Sequence, residues 1–166
     1  MSMSFFATVQ EPVKPKTKNV KSVAILYAGI LAVFAVAQLF HYDEFQLLIQ
    51  SFWLPGGTPT AYFLSGFIIV AEVFALPFLL NMRTSSLMRV ASMVLGWVAA
   101  SFWLTISLWV QLTTNAITNI GFLGTTASLT PGWWTVLFSV ALAMLAAWAS
   151  WGMWPRQPFR GCSSSR

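Results

Sequence analysis

The amino-acid sequence predicts an all-α integral membrane protein: a four-helix bundle with both termini cytoplasmic and a short amphipathic helix in its first outer loop. Three observations carry this. The chain of 166 residues is 57% hydrophobic and only 8% charged, where soluble domains carry about 25% charged residues. Its apolar residues gather in four long runs, each approaching or exceeding the ~20 residues that cross ~30 Å of hydrocarbon. All nine Lys and Arg fall in three stretches that alternate with those runs: Lys14, Lys16, Lys18 and Lys21, then Arg83 and Arg89, then Arg156, Arg160 and Arg166. Short basic loops stay on the cytoplasmic side, so this asymmetry sets the orientation.

The expected organisation is a flexible basic cytoplasmic tail over 1–21, a transmembrane domain over 22–154 and a second basic tail over 155–166. Helices are expected at about 22–40, 61–80, 89–112 and 133–154. Membrane β-strands would need alternation in runs of ~10 residues, and the sequence has none. The first apolar run continues for about 18 residues, so it reads as an uncleaved spanning helix rather than a signal peptide. The net charge of +5 is juxtamembrane; it points to topology and anionic lipid, not to nucleic acid. One cysteine, Cys162, excludes an intramolecular disulfide, and with one histidine it excludes a Cys/His zinc site.

Tryptophan supports the boundaries. Trp109, Trp133 and Trp134 fall at the expected outer surface and Trp151 and Trp154 at the inner one, as aromatic belts do. Trp97, Trp103 and Trp148 lie deeper, where packing between helices or against lipid tails is expected. In the first outer connection Phe45, Leu48, Ile49, Phe52 and Trp53 follow one helical face, and Pro55-Gly56-Gly57 ends the run. The second outer connection carries Ile117, Ile120, Phe122, Leu123 and Leu129, which need cover from the membrane, the bundle or a partner. The turn from Asn81 to Ser86 is short, so the helices it joins are antiparallel neighbours. In the fourth run Ala143, Ala146, Ala147 and Ser150 form a small-residue seam suited to close helix approach, within the chain or to another subunit.

One ionisable side chain is embedded well inside a span: Glu72. With its helix entering near Ala61, it lies about 16 Å deep at 1.5 Å per residue. A carboxylate there costs ~3 kcal/mol on an insertion scale and needs a partner, a water-filled cavity or a proton. Ser65 shares its helical face. Ser101 and Thr105 on the third span are the expected hydrogen-bond partners, with Gln38 extending the polar seam. Pro77 lacks the N–H that would meet the Val73 carbonyl, so a kink is expected there. Two readings of Glu72 stand. It is a protonatable site for proton transfer, quinone contact or cation passage, or it is a protonated acid tying the second span to the third. His41, Asp43 and Glu44 read as a solvated cluster, since a metal site needs more ligands and an ordered second shell. Tyr27, Tyr42 and Tyr62 read as interfacial or packing residues. The sequence carries no phosphate loop, nucleophile elbow, haem motif or paired-His spacing, so independent catalysis is not expected.

The residues Leu39-Phe40-His41-Tyr42-Asp43-Glu44-Phe45, a Pro/Gly turn, and Ala71-Glu72-Val73-Phe74-Ala75-Leu76 followed by Leu79-Leu80-Asn81-Met82-Arg83 resemble the DoxX-like family of small four-helix membrane proteins, which includes MauE-like relatives. The resemblance covers roughly half the chain. Val73, Phe74, Ala75 and Pro77 stand where members often carry glycines, and Gln38 stands where many carry Lys. The resemblance implies a prokaryotic plasma-membrane component of electron-transfer or thiol-redox systems, often a subunit without its own cofactor. The expected function is therefore a small accessory membrane subunit of a larger complex, partnered by lipid and other membrane subunits. No cofactor is predicted, with room left for quinone or lipid contact. The alternative is a small proton-coupled transporter or proton-conducting protein centred on Glu72, and a third reading is an enzyme acting on a lipid-soluble substrate near Glu72.

Overall fold

The computed structural model describes residues 17–113 and 117–153. They form five helices: α1 (Lys18–Phe40), α2 (Tyr42–Gln50), α3 (Gly57–Leu79), α4 (Ser86–Thr113) and α5 (Trp133–Met153). The fold is all-helical, and α1, α3, α4 and α5 are long and apolar enough to cross a membrane. α1 packs against α3 and α5, and α4 packs against the same two. The four spans therefore close a ring in the order α1, α3, α4, α5, with chain neighbours antiparallel. Lys18, Lys21, Arg83 and Arg89 mark one end of the bundle, called here the basic end. The α2 segment and the connection from α4 to α5 mark the other, the loop end.

Helix boundaries differ from the sequence expectation where capping chemistry intervenes. The Thr17 hydroxyl accepts from the Val20 N–H at 3.4 Å, so residues 18–21 form the first turn of α1 rather than the end of a tail. A side-chain oxygen at this position satisfies one of the orphan donors of a helix start. Left-handed Gly56 (φ 101°) precedes α3, which begins at Gly57, four residues ahead of the expected Ala61. Lys14, Lys16, Trp154, Cys162 and the C-terminal arginines lie outside the described residues.

α3 stays helical through Pro77, and α4 supplies the repair. The Ser92 hydroxyl accepts from the Phe78 N–H at 2.9 Å and donates to the Ala75 carbonyl at 3.1 Å. Backbone groups disturbed around the proline are thus answered from the neighbouring span, as hydrocarbon requires. One turn further along α4, Gly96 lies against α3, where a Cβ would make an ordinary contact with that of Ala75 at 3.6 Å. The Tyr27 hydroxyl of α1 donates to the Gly96 carbonyl at 2.7 Å. Tyr27 is fully buried, a packing residue of the core. At the basic end the approach of α5 to α1 does require a glycine, since a Cβ at Gly152 would collide with Val20.

The small-residue seam of α5 is used in part inside the chain. Ala146 is buried, and Ser150 accepts the Trp97 indole N–H of α4 at 3.0 Å. α2 folds onto the bundle, chiefly on α3, with Phe45, Ile49 and Phe52 fully buried. Trp53 departs from the face expected for it. The helix stops at Gln50, Trp53 takes a left-handed φ of 52°, and its side chain is 82% exposed. Trp109 donates to the Phe52 carbonyl at 2.9 Å, tying the end of this segment to α4.

Replacing Ser92 with Ala strands the Phe78 N–H in the core, a loss of about 1–3 kcal/mol for an unsatisfied buried donor. Thermal unfolding followed by circular dichroism in detergent is expected to show a lower midpoint for Ser92→Ala and none for Ser101→Ala, whose side chain is exposed.

Candidate functional site

Glu72 projects from α3 into the centre of the ring and is fully buried. Its Oε1 accepts from the Trp103 indole Nε1 of α4 at 2.8 Å and from the Gln38 Nε2 of α1 at 3.4 Å. Three spans therefore meet at one carboxyl oxygen. Gln38 is also fully buried, and its Nε2 donates a second time, to the Phe122 carbonyl at 3.2 Å. Phe122 belongs to the connection before α5, so irregular backbone descends between the helices to reach Gln38. Backbone of this kind is tolerated at membrane depth when protein surrounds it.

That connection is folded around Asn119. Its Oδ1 accepts from the Gly121 N–H at 3.0 Å, an Asx turn, and from the Leu129 N–H at 3.2 Å. Its Nδ2 donates to the Gly124 carbonyl at 2.9 Å, and the Ile120 N–H donates to the Leu129 carbonyl at 2.9 Å. Gly124 holds a φ of 59°, and a Cβ there would meet the Gln38 Cα at 3.1 Å and the Ala37 carbonyl at 3.2 Å. Glycine is thus needed both for conformation and for the approach to α1. Thr126 donates to the Ala37 carbonyl at 3.1 Å, and Thr125 to Glu44 Oε2 at 2.7 Å. Ile120 and Phe122 are buried, while Ile117, Leu123 and Leu129 pack partly against the core. The bundle supplies the cover their apolar side chains need.

Aromatic packing positions the donor to Glu72. The Phe122 ring lies 4.8 Å from Trp103, 5.5 Å from Phe34 and 5.3 Å from Phe138. Phe102 meets Trp103 edge-on at 5.4 Å. The Trp103 backbone meets α5 as well: the Ser139 hydroxyl shares its one proton between the Thr135 carbonyl at 2.9 Å and the Trp103 carbonyl at 3.2 Å, and lies 2.9 Å from the Ser107 hydroxyl. Trp103 is fully buried.

The structure corrects part of the expected constellation. Ser101 and Thr105 do not reach Glu72: both are exposed, and the Thr105 hydroxyl donates to the Ser101 carbonyl at 2.8 Å. They line an apolar groove of about 770 Å³ between α3 and α4, together with Leu64, Trp97, Phe102 and Trp109. Ser65 is buried on the same side of α3 as Glu72, but its hydroxyl donates to the Tyr62 carbonyl at 2.9 Å. Of the four expected partners, Gln38 is the one in contact with Glu72. The shorter bond comes from Trp103, which its sequence position marks only as a deep packing residue. Asp43 and Glu44 occupy the first turn of α2, where acidic side chains complement the helix dipole. Among the described residues, no three of His, Cys, Asp and Glu come together in a group able to hold a metal ion.

Chemically the centre is an acid with one oxygen doubly bonded by protein donors. The remaining acceptors, Glu72 Oε2 and Gln38 Oε1, are buried and have no hydrogen-bond partner. Comparison of the chain with family models, curated proteins and solved structures finds no match.

Trp103→Phe keeps an aromatic ring in the cluster and removes the N–H. Loss of a charged or polar group's donor in the interior costs about 1–3 kcal/mol. The unfolding midpoint is expected to fall for Trp103→Phe and to hold for Trp148→Phe, whose ring is more than half exposed.

Proposed function

We propose that this chain is a small accessory integral-membrane subunit of a larger membrane complex, of the redox or electron-transfer kind that its DoxX-like residues suggest. The observation that carries the reading is the use made of Glu72. The intramembrane acid is enclosed, and its hydrogen bonds join α1, α3 and α4 to each other while Gln38 adds the Phe122 backbone. Its binding capacity is directed to holding the bundle together. A chain organised in this way acts as a scaffold beside a partner that supplies the chemistry. The reading includes a prokaryotic plasma membrane with both termini cytoplasmic, which the gathering of Lys18, Lys21, Arg83 and Arg89 at one end supports. Purification from native membrane in a mild detergent is expected to bring down stoichiometric membrane partners. Recovery of the chain alone as a stable monomer overturns the proposal.

A second reading, a proton-coupled transporter or proton-conducting protein centred on Glu72, is favoured by one observation: Glu72 Oε2 is buried and unpartnered, free to take up and release a proton. Under it, the purified protein in liposomes dissipates an imposed proton gradient and Glu72→Gln abolishes the flux. Liposomes that hold the gradient as well with the protein as without it remove proton conduction.

A further inference from the structure

A side-chain amide presents an N–H and a carbonyl oxygen side by side. A protonated carboxyl presents a carbonyl oxygen and an O–H in matching positions. The two form a two-point pair, N–H to C=O and O–H to O=C. One half of such a pair is present between α1 and α3, since Gln38 Nε2 donates to Glu72 Oε1 at 3.4 Å. The atoms that would make the other half, Gln38 Oε1 and Glu72 Oε2, are the two of this centre that are buried without a partner.

The amide cannot be turned over to relieve this. Its nitrogen faces the Phe122 carbonyl at 3.2 Å, and a flip would set two carbonyl oxygens against each other. Glu72 Oε1 is already committed to Trp103 at 2.8 Å. With the amide fixed on one side and Oε1 on the other, the unpaired atoms are both acceptors, and a proton bound to the acid makes the two groups complementary.

We infer that Glu72 binds a proton on Oε2 and donates it to Gln38 Oε1, so that the acid and the amide form a two-point clamp between α3 and α1. The ligand of this site is the proton itself. Gln38 hands the clamp on to the loop end, because its second N–H holds the Phe122 carbonyl. Without the proton the two acceptors face each other and the amide is pushed from the geometry that serves both Glu72 and Phe122. Around the pair, α4 presents the Trp103 indole and α5 meets the Trp103 backbone through Ser139. Among the described residues, the titratable side chain that α1 buries in the core is Tyr27, whose hydroxyl is engaged by the Gly96 carbonyl. The clamp is a property of the folded chain and stands apart from whether it joins a larger complex or conducts protons.

Infrared spectroscopy of the full-length protein in liposomes tests this. The wild-type spectrum minus that of Glu72→Gln isolates one carboxyl among the chain's four acids. The expected result is the C=O stretch of a hydrogen-bonded, protonated carboxylic acid. Ionised carboxylate bands in its place overturn the inference, and so does an acid band at the position of a free, unbonded carboxyl. Glu72→Gln places an amide N–H where the acid O–H stands and keeps the pair, so its thermal midpoint stays near that of wild type, whereas Glu72→Ala falls. Gln38→Met, which matches Gln38 in length, identifies the acceptor: the acid band moves toward the free position if Gln38 Oε1 receives the proton and stays in place if it does not, the latter refuting the clamp. The position of the wild-type band decides between bonded and free acid even if Gln38→Met fails to fold.

Discussion

A carboxyl group among hydrocarbon chains has no water to answer it, so every hydrogen bond it makes has to come from protein. In this bundle that requirement organises the half nearer the loop end. Glu72 draws Trp103 from α4 and Gln38 from α1. Gln38 in turn draws in the Phe122 backbone. Once Phe122 is held there, its ring fills the space between Phe34, Trp103 and Phe138. A polar demand at one atom is thereby converted into the position of an aromatic cluster and of a whole connecting segment. Removing the acid would leave the indole N–H and the amide without a reason to converge.

The four spans and Glu72 were legible because they rest on chemistry that a sequence displays directly. Apolar length, the placement of lysine and arginine, and a lone acid within an apolar run need no tertiary knowledge. The partners of Glu72 were harder. Ser101 and Thr105 have the depth and the polarity, but α4 buries Ser92, Gly96, Ala99, Ala100, Trp103, Ser107 and Val110, and Ser101 and Thr105 fall off that face. In a soluble helix, polarity tells the inward side from the outward one. In a span both sides are apolar, one toward the core and one toward lipid, so that signal is lost. The recurrence of small residues at Ser92, Gly96, Ala99 and Ala100 was the better guide to the inward face, and Trp103 lies on its continuation.

The connection before α5 shows the same limit from the other side. Its apolar residues announced that they needed cover, and the Asn119-Ile120-Gly121 spacing carries the Asx-turn chemistry that folds it. Neither feature says that the Phe122 carbonyl enters the ring and meets Gln38. That contact depends on α1 ending at Phe40 while α2 folds back chiefly onto α3, which leaves the end of α1 open to the loop. Helix lengths relative to one another, not local propensity, decide it. The shift of the α1 and α3 starts by four residues each is of the local kind, set by Thr17 and by left-handed Gly56.

The two halves of the bundle are consequently held by different means. Toward the basic end, closure is by helix against helix at short range: Gly96 beside Ala75, Gly152 against Val20, and Ser92 bonded into the backbone of α3. Such contacts open only if whole helices separate. Toward the loop end, closure is by a segment fastened through side-chain bonds at Gln38, Thr125 and Thr126. Lifting that segment breaks a few hydrogen bonds and uncovers Ile120 and Phe122 together with the partly buried Ile117, Leu123 and Leu129, but it leaves the contacts between the long helices in place. Glu72 lies beneath it. The path to the buried acid that disturbs least therefore runs through the loop end, and Gln38, bonded at once to the acid and to the segment above it, is the residue through which the state of one is felt by the other.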